Sequence, residues 1–253
     1  TYGNSFHEVA GGHVDELRRW IIDTCVHKNG KLVIPAFSVG RTQELLYALN
    51  QLSLEKRLPE IKIFVDSPLS LRATSIIKQY TTDFNERLQQ VLLIDDDPFA
   101  FDGLAYIETV EDSRKLMDYA EPCVIISASG TADAGRVRHH ISSCLSSSSN
   151  TVLLAGYCSD QSLGGQLLAG AKEVEIFGET HTVSLHTGKL ASLSAHGDAD
   201  DLTRFIACQD AAQIKKIFLV HGEAPVLAAF AERLQRKGYD HVEVPAMHVH
   251  YPL

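Results

Sequence analysis

Two short histidine motifs near the C-terminus carry the residue types best suited to chemistry: Ser194-Ala195-His196-Gly197-Asp198 and Val220-His221-Gly222-Glu223. Imidazole changes charge near neutral pH, so a histidine facing a ligand can act as a general acid or bind a metal. His221 follows the apolar run Ile217-Phe218-Leu219-Val220 and precedes a helical pattern over 225–236. That spacing predicts a strand end, where open α/β sheets collect ligands. Taken singly, His196 reads as an exposed loop residue before a helix capped by Asp198, and His221 as a satisfied strand-end histidine. Together, on loops from one side of a sheet, they form a candidate pair of general acid and metal ligand. A hydrolytic di-metal centre needs several His and Asp ligands, and no dense His-x-His-x-Asp-His cluster occurs. His248 and His250 have no acidic partner beside them and read as adventitious; His181 and His186 read as surface residues.

Four loops between a strand-like run and a helical pattern also merit attention. Ser127-Ala128-Ser129-Gly130-Thr131 leads through Gly135 into Arg136. Small residues there allow backbone N–H groups to approach an anion, and Arg136 in a first helical turn could grip a phosphate bidentately. The same pattern also suits a plain strand-to-helix turn. Phe37-Ser38-Val39-Gly40-Arg41 predicts a tight turn, with an Arg41–Glu44 ion pair one helical turn long. Asp66-Ser67-Pro68 predicts a helix start, with Ser67 as cap and Pro68 at the first helical position. Gly164 and Gly165, after Gly156-Tyr157-Cys158, imply close backbone packing. Arg136-Val137-Arg138-His139-His140 is the densest cationic stretch and reads as a solvated helix face.

The elements that must position these residues alternate regularly. Strands are predicted at 31–36, 61–65, 123–127, 151–155, 174–177, 217–220 and 242–244, and helices at 14–27, 41–52, 71–81, 135–143, 163–169, 199–208 and 225–236. Continuous apolar strands between helices predict an α/β fold, a mostly parallel sheet flanked by helices. Residues 146–150 read as a linker or loop and Asp95-Asp96-Asp97-Pro98 as a turn.

With 253 residues, 45% apolar and 22% charged, the composition is that of an ordinary globular protein. No run approaches the roughly 18 apolar residues that would predict a membrane span. The net charge of −9 argues against a binder that relies on a broadly basic surface for nucleic acid, though it leaves room for a local basic groove. Five scattered cysteines without a Cys-x-x-Cys pair predict buried, reduced thiols and a cytoplasmic protein. The chain opens on Thr-Tyr-Gly-Asn without an initiator Met, which suits a fragment or a processed polypeptide.

In order along the chain, Thr1-Tyr2-Gly3-Asn4 with His7, the stretch Ile34 to Glu44, Asp66-Ser67-Pro68-Leu69, Ala128-Ser129-Gly130 through Gly135-Arg136, Gly156-Tyr157 and the two histidine motifs resemble the β-CASP branch of the metallo-β-lactamase superfamily. This branch contains RNA-processing nucleases. The resemblance implies that residues 6–193 form the β-CASP domain, which clamps RNA. It implies that residues 194–253 form the returning C-terminal βα part of a metallo-β-lactamase αββα sandwich. His196 would donate a proton to the leaving oxygen, and His221 would ligate zinc. Ser129, Gly130 and Arg136 would face the RNA backbone. Two zincs would activate water for attack on a phosphodiester.

Departures from the family pattern shape the expectation. The acidic residue before Thr-Tyr-Gly and the N-terminal half of the lactamase fold are missing from this chain; Ser5 stands where the family carries Arg, and Thr131 where Met is common. The expected reading is the C-terminal fragment of a zinc-dependent ribonuclease, inactive in this form, with an incomplete di-zinc site. RNA is the expected partner, with DNA second because some relatives process DNA ends, and no membrane is expected. An apolar surface left uncovered in residues 194–253 would favour a homo-oligomer or an altered tail. The alternative within the family is a non-catalytic RNA-binding scaffold, against which the presence of both His196 and His221 argues. A plain nucleotide-binding domain is disfavoured, since neither a Gly-x-Gly-x-x-Gly turn with a downstream acid nor a P-loop lysine is present.

Overall fold

The computed structural model describes residues 3–6, 12–190, 193 and 196–251. Thr1, Tyr2, His7, Ser194 and Ala195 of the quoted motifs lie outside the described residues. The chain divides into two compact units, one continuous over Gly11–Leu193 and one joining Thr1–Ala10 to Ser194–Leu253.

The larger unit opens with α1 (His13–Ile21), which widens into a π-helical stretch over Ile22–His27, so the helix expected across 14–27 changes pitch midway. There follow β1 (Lys31–Pro35), α2 (Arg41–Leu54), β2 (Lys62–Asp66), α3 (Pro68–Ile77), α4 (Glu86–Val91), β3 (Leu104–Tyr106), α5 (Val110–Met117), β4 (Cys123–Ser127), α6 (Val137–Cys144), β5 (Thr151–Leu154), α7 (Leu163–Leu168), β6 (Glu173–Ile176), β7 (Glu179–Thr182) and β8 (His186–Lys189). Six of these strands form one sheet in the order β3-β2-β4-β1-β5-β8, parallel at every pairing. All residues of β4 and β5 are buried. Alternate residues serve opposite faces: Leu32 and Ile34 pack with Leu17, Ile21, Leu45 and Leu49, while Val33 packs with Val137, Ile141 and Leu167. Both faces of the sheet are therefore covered, and for this reason the strands read as unbroken apolar runs.

Two expectations about the sheet need correction. Residues 174–177 do not enter it: β6 pairs antiparallel with β7 in a separate hairpin, with Val174 and Ile176 buried and the two glutamates outside. That alternation is the mark of a one-sided strand. The edge strands β3 and β8 were not anticipated, since β3 is three residues long and β8 is polar. The glycine in β8 has a packing reason, because a Cβ on Gly188 would lie 2.4 Å from the Trp20 ring. Of the two readings of residues 146–150 the loop is the one observed: Asn150 Oδ1 accepts the Lys31 N–H at 2.8 Å, and its Nδ2 donates to the Cys144 carbonyl at 3.1 Å.

The smaller unit holds α8 (Ala199–Ala207), β9 (Ile217–Phe218), α9 (Ala224–Arg236) and β10 (Val242–Glu243), with β9 and β10 paired in parallel. Leu219, Leu227, Phe230, Leu234 and Tyr239 form its core. The Ala199 N–H donates to the Ser5 carbonyl at 3.0 Å, and Gly3 lies so close to Phe230 that a Cβ there would be 2.3 Å from the Phe230 Cβ. Phe205, Val220, Met247 and Val249 are exposed apolar side chains of this unit. Among the described residues no helix is long and apolar enough to cross a membrane. All five cysteines are free thiols; Cys25, Cys123 and Cys144 are buried, but Cys208 is exposed, which corrects the expectation that all would be covered.

Candidate functional site

The motif loops of the larger unit leave the carboxyl ends of β1, β2, β4 and β5, so a parallel sheet delivers them all to one edge. Each loop is held by its own backbone chemistry. After β1, Gly40 adopts φ 85°, a conformation glycine takes without steric penalty, and its N–H donates to Gln43 Oε1 at 2.7 Å. Gln43 Nε2 then donates to the Ser38 carbonyl and to Thr74 Oγ1, tying this loop to α3. The expected Arg41–Glu44 pair forms at 2.5 Å, and Arg41 also donates to the Leu193 carbonyl. After β2, Ser67 caps α3 by accepting the Ser70 N–H, with Pro68 in the first turn. Ser38 and Ser67 hydroxyls share a hydrogen bond of 3.0 Å across the two loops.

Between β4 and α6 the Ser129–Arg136 loop closes on itself. Its Ala128–Ser129 peptide is cis. The Ser129 N–H donates to the Ala134 carbonyl at 3.1 Å, and Ser129 Oγ accepts the Ala134 N–H at 3.3 Å. Gly135, at φ 78°, lies where a Cβ would be 2.5 Å from the Ala128 carbonyl oxygen. Gly130 lies beneath the Phe37 ring, 2.9 Å from where its Cβ would be. The next loop is joined to this one, because the Gly164 N–H donates to the Thr131 carbonyl and the Leu163 N–H to Asp133 Oδ1. Gly164 and Gly165 are indeed packing glycines; a Cβ on Gly165 would fall 1.9 Å from the Ser159 oxygen.

Asp66 is the centre that sequence reasoning missed. Its side chain is fully buried at the end of β2. Arg136 Nη1 donates to Oδ1 at 2.7 Å; Oδ2 meets His140 Nε2 at 2.6 Å and accepts from Ser113 Oγ at 2.5 Å. The backbone carbonyl of Asp66 accepts the Ser127 hydroxyl at 2.9 Å. Burial pushes the Asp66 carboxyl up, but the hydrogen bonds from His140, Ser113 and Arg136 outweigh it and hold the group below its ordinary value. Arg136 also donates to the carbonyls of Ile107 and Glu108. It occupies the N-cap position of α6, whose first residue is Val137, rather than the first helical turn.

The cationic stretch is therefore no solvated face. Arg136 and His140, four residues apart, point inward to Asp66. Arg138 and His139 flank Phe177 instead, at 4.5 Å for the guanidinium over the ring and 4.4 Å between stacked ring centroids. A helix-period reading of 136–140 would have separated the two pairs; nothing in the local sequence names Asp66 as the common partner.

His196 and His221 belong to the smaller unit. His196 is exposed two residues ahead of Asp198, which caps α8 by accepting the N–H groups of Asp200 and Asp201. His221 is exposed three residues beyond β9 and adopts φ 60°, a left-handed backbone rare for a residue with a Cβ and more frequent at functional positions. Ser129, Gly130 and Arg136 stand together on the β4–α6 loop of the larger unit. Among the described residues no three His, Cys, Asp or Glu side chains gather as a metal-ligand group.

Comparison with known proteins gives this geometry a context. The family model for the Beta-Casp domain matches residues 42–167, and that for a Zn-dependent metallo-hydrolase RNA specificity domain matches residues 180–245. The chain belongs to the β-CASP metallo-β-lactamase family. It is similar to a ribonuclease of Thermus thermophilus, 31% identical over 240 residues, covering 95% of this chain and 54% of the relative. It is 29% identical to an RNase J-like protein of Methanocaldococcus jannaschii, covering 83% of this chain and 47% of the relative. Against cleavage and polyadenylation specificity factor 73 of Drosophila melanogaster it is 26% identical, covering 94% of this chain and 34% of the relative. The chain thus spans about half the length of the first two relatives and a third of the last. Within the β-CASP match lie Asp66, Arg136 and His140; within the second match lie His196 and His221.

Proposed function

We propose that residues 6–193 form an RNA-clamping domain and residues 194–253 the C-terminal part of the hydrolase domain of a zinc-dependent ribonuclease. The observation that carries this reading is the delivery of the Ser38, Ser67, Ser129–Gly130 and Tyr157 loops to one sheet edge in a chain matched by both family models. In this reading the β4–α6 loop faces the RNA backbone through Ser129, with Gly130 buried against Phe37. Arg136 acts through that loop, with Asp66 holding its guanidinium. His196 donates a proton to the leaving oxygen, a role suited to an imidazole on a loop. His221 is one zinc ligand, supported by its left-handed backbone at a strand end. The relatives' names, a ribonuclease among them, favour RNA over DNA as the polymer. The exposed Phe205 and Met247 support self-association through residues 194–253, and five free thiols support a reducing, cytoplasmic setting.

The test combines RNA binding, zinc content and cleavage on this chain. RNA binding with fewer than two zincs and no cleavage is the expected result. Two bound zincs with cleavage would overturn the incomplete site, and absence of RNA binding would overturn the clamp.

A further inference from the structure

Resting on the RNA-clamp reading, the geometry points to base stacking on Phe37, with Tyr157 on the loop after the adjacent strand, as the main source of affinity at this edge. We infer that the edge reads unpaired bases of a single strand rather than a run of phosphates. The two arginines at the loop–helix junctions of β1 and β4 are engaged internally. Arg41 donates to Glu44 and the Leu193 carbonyl, and Arg136 to Asp66 and the carbonyls of Ile107 and Glu108. Lys189, the last residue of β8, and Arg72, in the second turn of α3, are exposed cations near this end of the sheet's strands, and the chain as a whole carries −9. Phosphate attraction is correspondingly weak, since binding through charge needs several cations free to release counterions.

Aromatic surface takes its place. Phe37 is 55% exposed and Tyr157 51% exposed, on loops that follow the adjacent strands β1 and β5. The Phe37 ring packs against Gly130 so closely that a Cβ there would lie 2.9 Å from ring atoms, so any side chain at 130 would have to displace it. A ring packed against backbone and still exposed is pre-organised for stacking, and stacking tolerates any base. Gly130 thus serves as the seat of Phe37.

The experiment is fluorescence anisotropy of this chain with three labelled probes: a single-stranded RNA of about ten nucleotides, the same strand lacking bases, and an RNA duplex. The expected result is preference for the single strand, with Phe37→Ala weakening it about tenfold or more, Phe37→Tyr restoring it, and the abasic strand binding as poorly to the wild type as RNA does to Phe37→Ala. Gly130→Ala, which leaves Phe37 present but unseated, should lose affinity in the same direction and add little to Phe37→Ala. Raising salt from roughly 50 to 200 mM should weaken binding about threefold if a single cation contacts phosphate, against about twentyfold if three do. Equal binding of the abasic strand with a steep salt dependence and no effect of Phe37→Ala would overturn stacking and leave the RNA clamp standing. Failure of every probe to bind would overturn both.

Discussion

Replacing Asp66 by alanine is the sharpest perturbation the structure offers. The carboxylate accepts three side-chain hydrogen bonds, from Arg136, His140 and Ser113, and has no exposed surface. Its removal leaves a guanidinium, an imidazole and a hydroxyl facing a cavity. Breaking a buried pair by deleting one partner costs about 3–5 kcal/mol. Arg136 is 22% exposed and keeps two carbonyl acceptors, so part of its charge rehydrates. His140 has no exposure, and its Nδ1 has no partner among the described residues, so its loss is undiluted. A destabilisation of about 3–4 kcal/mol follows. Urea unfolding followed by far-ultraviolet circular dichroism would measure it, with Ser113→Ala as the internal scale at about 1–2 kcal/mol for one bond to a charged acceptor.

Asp66→Asn adds the pH dimension. The folded carboxyl lies below its unfolded value near 3.8, so its contribution is fully present above that pH and is lost as pH falls through the folded value. The stability gap between wild type and Asp66→Asn should be constant from neutrality down to about pH 4 and narrow only below it. A gap under about 1 kcal/mol for Asp66→Ala, or one that closes already near pH 6, would refute the idea that this carboxylate holds the larger unit's loops together.

Other outcomes follow from separate features. Gly135→Ala should destabilise by about 1–3 kcal/mol, because φ 78° and a 2.5 Å approach to the Ala128 oxygen both resist a Cβ; a thermal melt reads it. Asp198→Ala should cost about 1 kcal/mol through loss of the α8 cap, while Asp198→Asn should retain most of it in the same melt. With iodoacetamide at mildly alkaline pH, Cys208 should label first in intact-mass spectra. Cys25 and Cys123, whose thiols burial pushes up to about 12, should label only on unfolding.

The parts of the fold legible in the sequence were those where one physical pattern dominates. The fully buried β4 and β5 show as apolar runs, and Ser67-Pro68 announces the start of α3. Short edge strands such as β3 carry too few residues for periodicity, and β8 is polar because it needs to cover only one side. α5 was legible but overlooked: Thr109 caps it by accepting the Asp112 N–H, a Thr-x-x-Asp start signal. Of the site, the loops were visible because glycine marks turns, whereas the Asp66 cluster joins residues up to 74 positions apart and has no local signature. Arg136 was recognised as important for its charge, yet that charge points into the protein.

The smaller unit is discontinuous, and this has a consequence for how the chain folds. Contacts such as Ala199 N–H to the Ser5 carbonyl bridge an intervening segment of about 180 residues. Closing a flexible loop of that length costs on the order of 4–5 kcal/mol in chain entropy. Once Gly11–Leu193 has condensed into its sheet, the loop is no longer flexible and that entropy has already been lost within the larger unit's own folding. Chain entropy thereby favours an order of assembly, with the inserted segment first and the histidine-bearing unit second. A lesion deep in the larger unit, such as one at Asp66, would then delay the arrival of His196 and His221 without touching either.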